Sequence, residues 1–202
     1  MIPKPRLDAL TDGVFAVSMT LLVIDLRVPE GFAPKDAGDL LQYLAHIWNQ
    51  VLVYVVSFYV LSLQWIGAVR IRPQGEEISE QYTRWAMTYL LLITFVPFST
   101  MVVGRYIWLA PAIWLYVTNI ILLALIAIRM ATLSQLDPDS TALLEDRFGL
   151  VVLIVASLLV IVLSFIIPKW AMLGYVLNFA DAPIRRLLFR RKPSSPAVEH
   201  DA

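Results

Sequence analysis

Residues 89–103, 107–128 and 148–167 form three long apolar runs without a single charged side chain. About 20 helical residues, at ~1.5 Å rise each, cross the hydrocarbon core of a bilayer. Within lipid every backbone N–H and C=O must find its partner in the protein, so unbroken apolar runs of this length specify helices. Hydrophobic residues make up 59% of the chain, with a mean hydropathy of +0.72, and they are gathered into such runs rather than spread out. That is the pattern of an all-α integral membrane protein.

Composition removes several other classes. There is no cysteine, which excludes disulfides and thiolate metal sites. The formal net charge is zero, so no electrostatic case for nucleic acid exists. Residues 1–6 are short and basic, but no small-residue cleavage site follows the next apolar stretch. The first helix is therefore expected to remain in the mature protein.

Six spans are expected, at about 7–28, 45–69, 83–103, 107–129, 147–167 and 169–189. The second region, 40–69, is too long for one perpendicular span. It combines a wet amphipathic start at Tyr43, His46, Asn49 and Gln50 with a spanning part from Val51 onward. The sixth is the weakest, carrying Asn178, Asp181 and the breaker Pro183. Charge placement decides the count. With six spans and an internal N-terminus, the inner side receives Lys4, Arg6, Arg70, Arg72, Arg84, Arg129, Arg147, Arg185, Arg186, Arg190, Arg191 and Lys192. Only Arg27, Lys35, Arg105 and Lys169 fall outside. This asymmetry obeys the positive-inside rule, whereas five spans would place the basic tail outside. The organisation expected is a six-helix domain over 1–192 and a loose cytoplasmic tail over 193–202. Both termini are cytoplasmic, and the protein crosses the cell membrane several times. The C-terminal basic cluster reads as a topology anchor beside anionic lipid.

The segment 7–26, LDALTDGVFAVSMTLLVIDL, has spanning length yet retains Asp8, Thr11, Asp12, Ser18, Thr20 and Asp25. Intramembrane acids are costly and are normally held against a partner or a water-filled path. One face passes through Gly13, Val17, Thr20 or Leu21, and Ile24. Two readings of it stay open: ordinary helix packing, or the lining of a pore enclosed by several copies, with apolar rings and one hydroxyl layer. Asp12 lies roughly 140° around the helix from Val17, at ~100° per residue, so the two do not share a face. If Val17 faces an axis, Asp12 looks back into its own subunit, toward Arg6, His46 or Asn49, as a structural latch. Gly13 permits close approach of another helix. Asp25, about 80° from Val17, either draws cations into an outer vestibule or pairs locally with Arg27.

The sequence Arg6-Leu-Asp-Ala-Leu10-Thr11-Asp12-Gly13-Val14-Phe15-Ala16, followed by Thr20-Leu21-Leu22-Val23, resembles the first-helix signature of one channel family. It is the family of the lysosomal/endosomal potassium channel transmembrane protein 175, and the likeness is to its short prokaryotic members. Their usual form is Arg, three residues, then Phe-Ser-Asp-Gly-Val-Phe-Ala. Here Leu10 replaces the Phe and Thr11 replaces the Ser. Pro97-Phe98-Ser99-Thr100 and Gly104-Arg105-Tyr106 resemble the third-helix segment and its turn. Trp65 sits where the family often has Trp followed by paired histidines, which are absent here.

The resemblance implies six helices per subunit, a homotetramer, and a pore lined by the first helix and permeable to potassium. It implies a channel fold without the selectivity-filter loop of ordinary potassium channels, and no Thr-Val-Gly-Tyr-Gly-like segment occurs here. Carried over by position, Val17 is the gate or constriction ring, Thr20 the hydroxyl layer and Ile24 an outer apolar ring, with Leu21 among the pore-lining residues. Arg6, Thr11, Asp12 and Gly13 form the motif network that holds the first helix. Permeant potassium passes transiently near Thr20. No resident cofactor, metal or obligatory protein partner is expected beyond membrane lipids.

Other polar residues have local explanations. His46 reads as a hydrogen-bonded residue at a helix entrance and Asn119 as an interhelical donor. Pro97 is expected to kink the third span and free a carbonyl for Ser99, Thr100 or a neighbouring chain. The tryptophans form an aromatic belt. No nucleophile–base–acid set and no phosphate-binding glycine pattern occurs, so the chain is not read as an enzyme. The expected function is a passive, potassium-preferring cation channel. The alternative is a secondary ion or small-solute transporter, which would show internal repeats and a midplane site.

Overall fold

The computed structural model describes residues 2–73, 77–134 and 141–176. In chain order these form strand β1 (Ile2–Pro3), α1 (Lys4–Leu21) with a 3-10 turn (Leu22–Asp25), α2 (Ala37–His46), α3 (Trp48–Arg70) and strand β2 (Glu77–Ile78). Then come α4 (Glu80–Arg105), α5 (Ala110–Leu133), α6 (Thr141–Ile166), α7 (Pro168–Ala171) and a 3-10 turn (Met172–Val176). Apart from the two-residue antiparallel pairing of β1 with β2, the described chain is helical. Local chemistry sets the helix starts. Asp36 accepts from the Asp39 N–H at 2.9 Å to cap α2, and Ser79 accepts from Tyr82 N–H at 3.2 Å to cap α4. Prolines open α1, α5 and α7, where a missing N–H costs nothing.

Five described helices are long and apolar enough to cross a membrane: Lys4–Asp25, Trp48–Arg70, Glu80–Arg105, Ala110–Leu133 and Phe148–Ile166. The expected second span begins at Trp48 instead of residue 45, because the helix breaks at Ile47 and leaves α2 as a separate amphipathic helix. His46 ends α2, exposed. Most of the expected sixth span, the C-terminal basic cluster and the tail over 193–202 lie outside the described residues. The described start of that region, α7 and its 3-10 turn, buries Met172 and Tyr175 against α6. Gly174 is required there, since a Cβ would stand 2.7 Å from Val160 Cγ2.

α5 is the centre of the bundle, packed between α4 and α6. Its apolar window is 56% buried, against 22% for α1, the least buried of the five described spans. The core between α3, α4 and α5 includes a polar relay. Thr100 Oγ1 donates to Ser57 Oγ at 3.0 Å, and Ser57 Oγ donates to the Tyr116 hydroxyl at 3.1 Å. Asn119 Nδ2 donates to the Leu92 carbonyl at 3.2 Å, joining α5 to α4 as a polar group in a membrane core must. Ser99 donates to Val96 O, so neither it nor Thr100 turns back to the carbonyl that Pro97 leaves free. Ser57→Ala leaves two buried hydroxyls without their partner. It should cost about 1–2 kcal/mol, read as a lower midpoint in detergent denaturation.

Candidate functional site

α1 is held on one face and bare on the other. Leu7, Phe15, Ser18 and Leu22, spaced by eight, three and four residues and so on one helical face, are buried against α3 and α4. The Phe15 ring lies 6.1 Å from that of Tyr89 on α4. The opposite face carries Leu10, Gly13, Val17, Thr20, Leu21 and Ile24, all exposed. Val17 is 57% and Ile24 49% accessible, values that a buried packing stripe would not show. Among the described residues no atom of another helix comes within 4 Å of where a Gly13 side chain would start. Thr20 Oγ1 donates to the Val17 carbonyl at 2.8 Å, which leaves its oxygen lone pairs free to point outward. Thr11 makes the same kind of bond to Leu7 O at 2.8 Å.

The acids of α1 are turned away from this stripe. Asp12 Oδ1 accepts from Trp65 Nε1 at 2.9 Å and from Arg72 Nη2 at 2.8 Å. Arg72 also reaches Asp8, with Nε 3.5 Å from Oδ1. The partners expected from sequence, Arg6, His46 and Asn49, are not the ones Asp12 binds. The reason is topological: the antiparallel return of α3 brings its C-terminal end, with Trp65 and Arg72, beside the start of α1. Arg6 itself is exposed at the same end of the molecule. At the other end Asp25 binds Arg105, in the last turn of α4, while Arg27 Nε donates to the Ile24 carbonyl at 2.8 Å. Local pairing of Asp25 with Arg27 is therefore replaced by a pairing across helices.

Sequence reasoning missed Arg72 and Arg105 as site residues. One signal was available, since charge placement already grouped Arg70 and Arg72 with Arg6 at one end. The β1–β2 pairing ties the N-terminus to the α3–α4 connection and puts those basic residues on one side. Among the described residues no group of three His, Cys, Asp or Glu side chains is placed to hold a metal ion.

The described chain is a multi-span helical protein whose α1 is latched through its acids and packed by one face against α3 and α4. The family model for the endosomal/lysosomal potassium channel TMEM175 matches residues 6–97. The crystal structure of a lysosomal potassium-selective channel TMEM175 homologue from Chamaesiphon minutus superposes with a TM-score of 0.75 at 26% identity. The match covers 90% of this chain and 97% of that one. Residues 6–97 are thus similar to the TMEM175 family, and the chain has the fold of a TMEM175 homologue. A potassium channel of Chamaesiphon minutus is 32% identical over 102 residues, 50% of each chain. One from Streptomyces collinus is 29% identical over 102 residues, 50% of this chain and 48% of that one. The endosomal/lysosomal proton channel TMEM175 of Rattus norvegicus is 35% identical over 74 residues, which cover 33% of this chain and 14% of that one. The alignment spans about half the length of the curated bacterial relatives.

Proposed function

We propose that the chain is one subunit of a passive, potassium-preferring cation channel. Four copies surround a pore lined by α1, in the cell membrane, with the N-terminus on the cytoplasmic side. The carrying observation is the bare stripe Gly13, Val17, Thr20, Leu21 and Ile24 on a helix whose acids are all latched elsewhere. An apolar stripe with one hydroxyl layer can wall a narrow pore when several copies surround an axis. Val17 forms the tightest apolar ring and controls flow by dewetting, and Thr20 supplies hydroxyl oxygens to a partly dehydrated ion. Leu21 and Ile24 complete the wall above it. Arg6, Thr11, Asp12 and Gly13 belong to the inner end of the same helix: Asp12 holds it, and Gly13 leaves room at the axis. Asp25 stands at the outer vestibule. The names of the bacterial relatives and of the similar crystal structure, all potassium channels, support this reading.

Selectivity from a single hydroxyl ring is modest, because four side-chain dipoles are fewer than stacked carbonyl layers provide. Reconstitution into planar bilayers under a potassium/sodium gradient tests the function. Wild type should give discrete currents with a reversal potential favouring potassium, and Thr20→Val should move that potential toward zero. Saturable flux that requires a proton or counter-ion gradient, with no unitary currents, would refute the channel.

A further inference from the structure

Away from the N-terminus, the last turn of α1 tightens from α to 3-10 over Leu22–Asp25. Leu22 is buried there while Ile24 stands on the bare stripe. Asp25, next in sequence, turns back: its side chain is only 18% exposed and binds the Arg105 guanidinium. Arg105 is fixed in its turn. It closes α4 beside Gly104, whose missing side chain would meet the Gln50 backbone of α3 at 3.6 Å. Its charge also suits the carbonyl-rich C-terminus of that helix. Arg27, the closer arginine in sequence, is engaged with the Ile24 carbonyl instead. The turn that carries Ile24 is thus bracketed by two arginines, of which only Arg105 neutralises the acid.

We propose that Arg105 is a positioning residue for conduction, masking the Asp25 carboxylate and pinning the turn of Ile24, so that it sets the charge of the outer mouth. This inference rests on α1 lining the pore. In four copies, loss of Arg105 uncovers four carboxylates beside the path, whereas loss of Asp25 uncovers four guanidiniums. The local cation concentration follows the sign of the mouth, so the two substitutions act in opposite directions. Screening separates this from a change of shape. The Debye length is about 10 Å at 0.1 M salt and about 3 Å at 1 M, so a charge effect fades at high salt and a distorted turn does not.

Unitary potassium conductance should be measured for wild type, Arg105→Gln, Arg105→Lys and Asp25→Asn at both salt concentrations. Arg105→Gln is expected to raise inward conductance about twofold at about 0.1 M and Asp25→Asn to lower it about twofold. Both should converge on wild type at about 1 M, and Arg105→Lys should stay near wild type throughout. Arg105→Gln alone decides the sign if Asp25→Asn does not assemble. Shifts in the same direction, or shifts that persist at high salt, would overturn the inference while leaving the channel intact. A wild type without current would overturn both.

Discussion

Arg72→Ala is expected to release the N-terminal end of α1 and to lower the thermal midpoint of the purified protein more than removal of either acid alone. Arg72 is shared: its Nη2 lies 2.8 Å from Asp12 and its Nε 3.5 Å from Asp8. Its loss leaves Asp8 and Asp12 without their shared cation, while the Trp65 indole N–H still donates to Asp12. Stripping the cation leaves two partly exposed carboxylates close together without their shared counter-charge, which costs more than the loss of one exposed bridge. Asp12 is nearly half exposed, so screening discounts the figure, and a loss of about 1–3 kcal/mol follows. Asp12→Asn keeps the acceptor for Trp65 and relieves the charge, and should cost less. Combined with Arg72→Ala it should be less than additive, since both changes act on one contact. Additive losses would show that Arg72 and Asp12 do not act together.

The second large effect concerns Val17. In the proposed pore, Val17→Phe narrows the tightest ring with four aromatic side chains, and potassium current should fall more than about tenfold. Val17→Ala widens the same ring and should raise resting conductance, because water re-enters an apolar constriction as it broadens. Neither change touches the subunit interior, since the Val17 side chain meets solvent in the isolated subunit. Detergent stability should therefore hold while current moves. Single-channel recording paired with a melting curve tests this. Equal loss of current and stability on Val17→Phe would place Val17 in a packing interface.

These contrasts show how far the sequence carried the argument. The apolar runs were legible because a bilayer admits little besides helices, so three spans could be read without knowing any neighbour. Positioning one face of α1 also needed only helical periodicity: Gly13, Val17, Thr20 and Ile24 follow from spacing, as does the opposite placement of Asp12. The helix break at Ile47 was harder to see, since the α2–α3 region reads as one hydrophobic stretch with a polar start. It took the cap at Asp36 and the docking of Tyr43 onto the Arg27 carbonyl, at 2.6 Å, to set α2 apart.

By itself the sequence determined the membrane class, the helices, and which residues of α1 can share a face, because these depend on local composition and on a fixed 3.6-residue turn. It also identified Asp12 and Asp25 as charges that need partners. Only the tertiary structure decided which partners they find. Arg72 and Arg105 lie 60 and 80 positions away along the chain, and the antiparallel packing of α3 and parallel packing of α4 against α1 bring them within reach. A charge looks for its counterion through space, and spacing along a sequence carries no record of that distance.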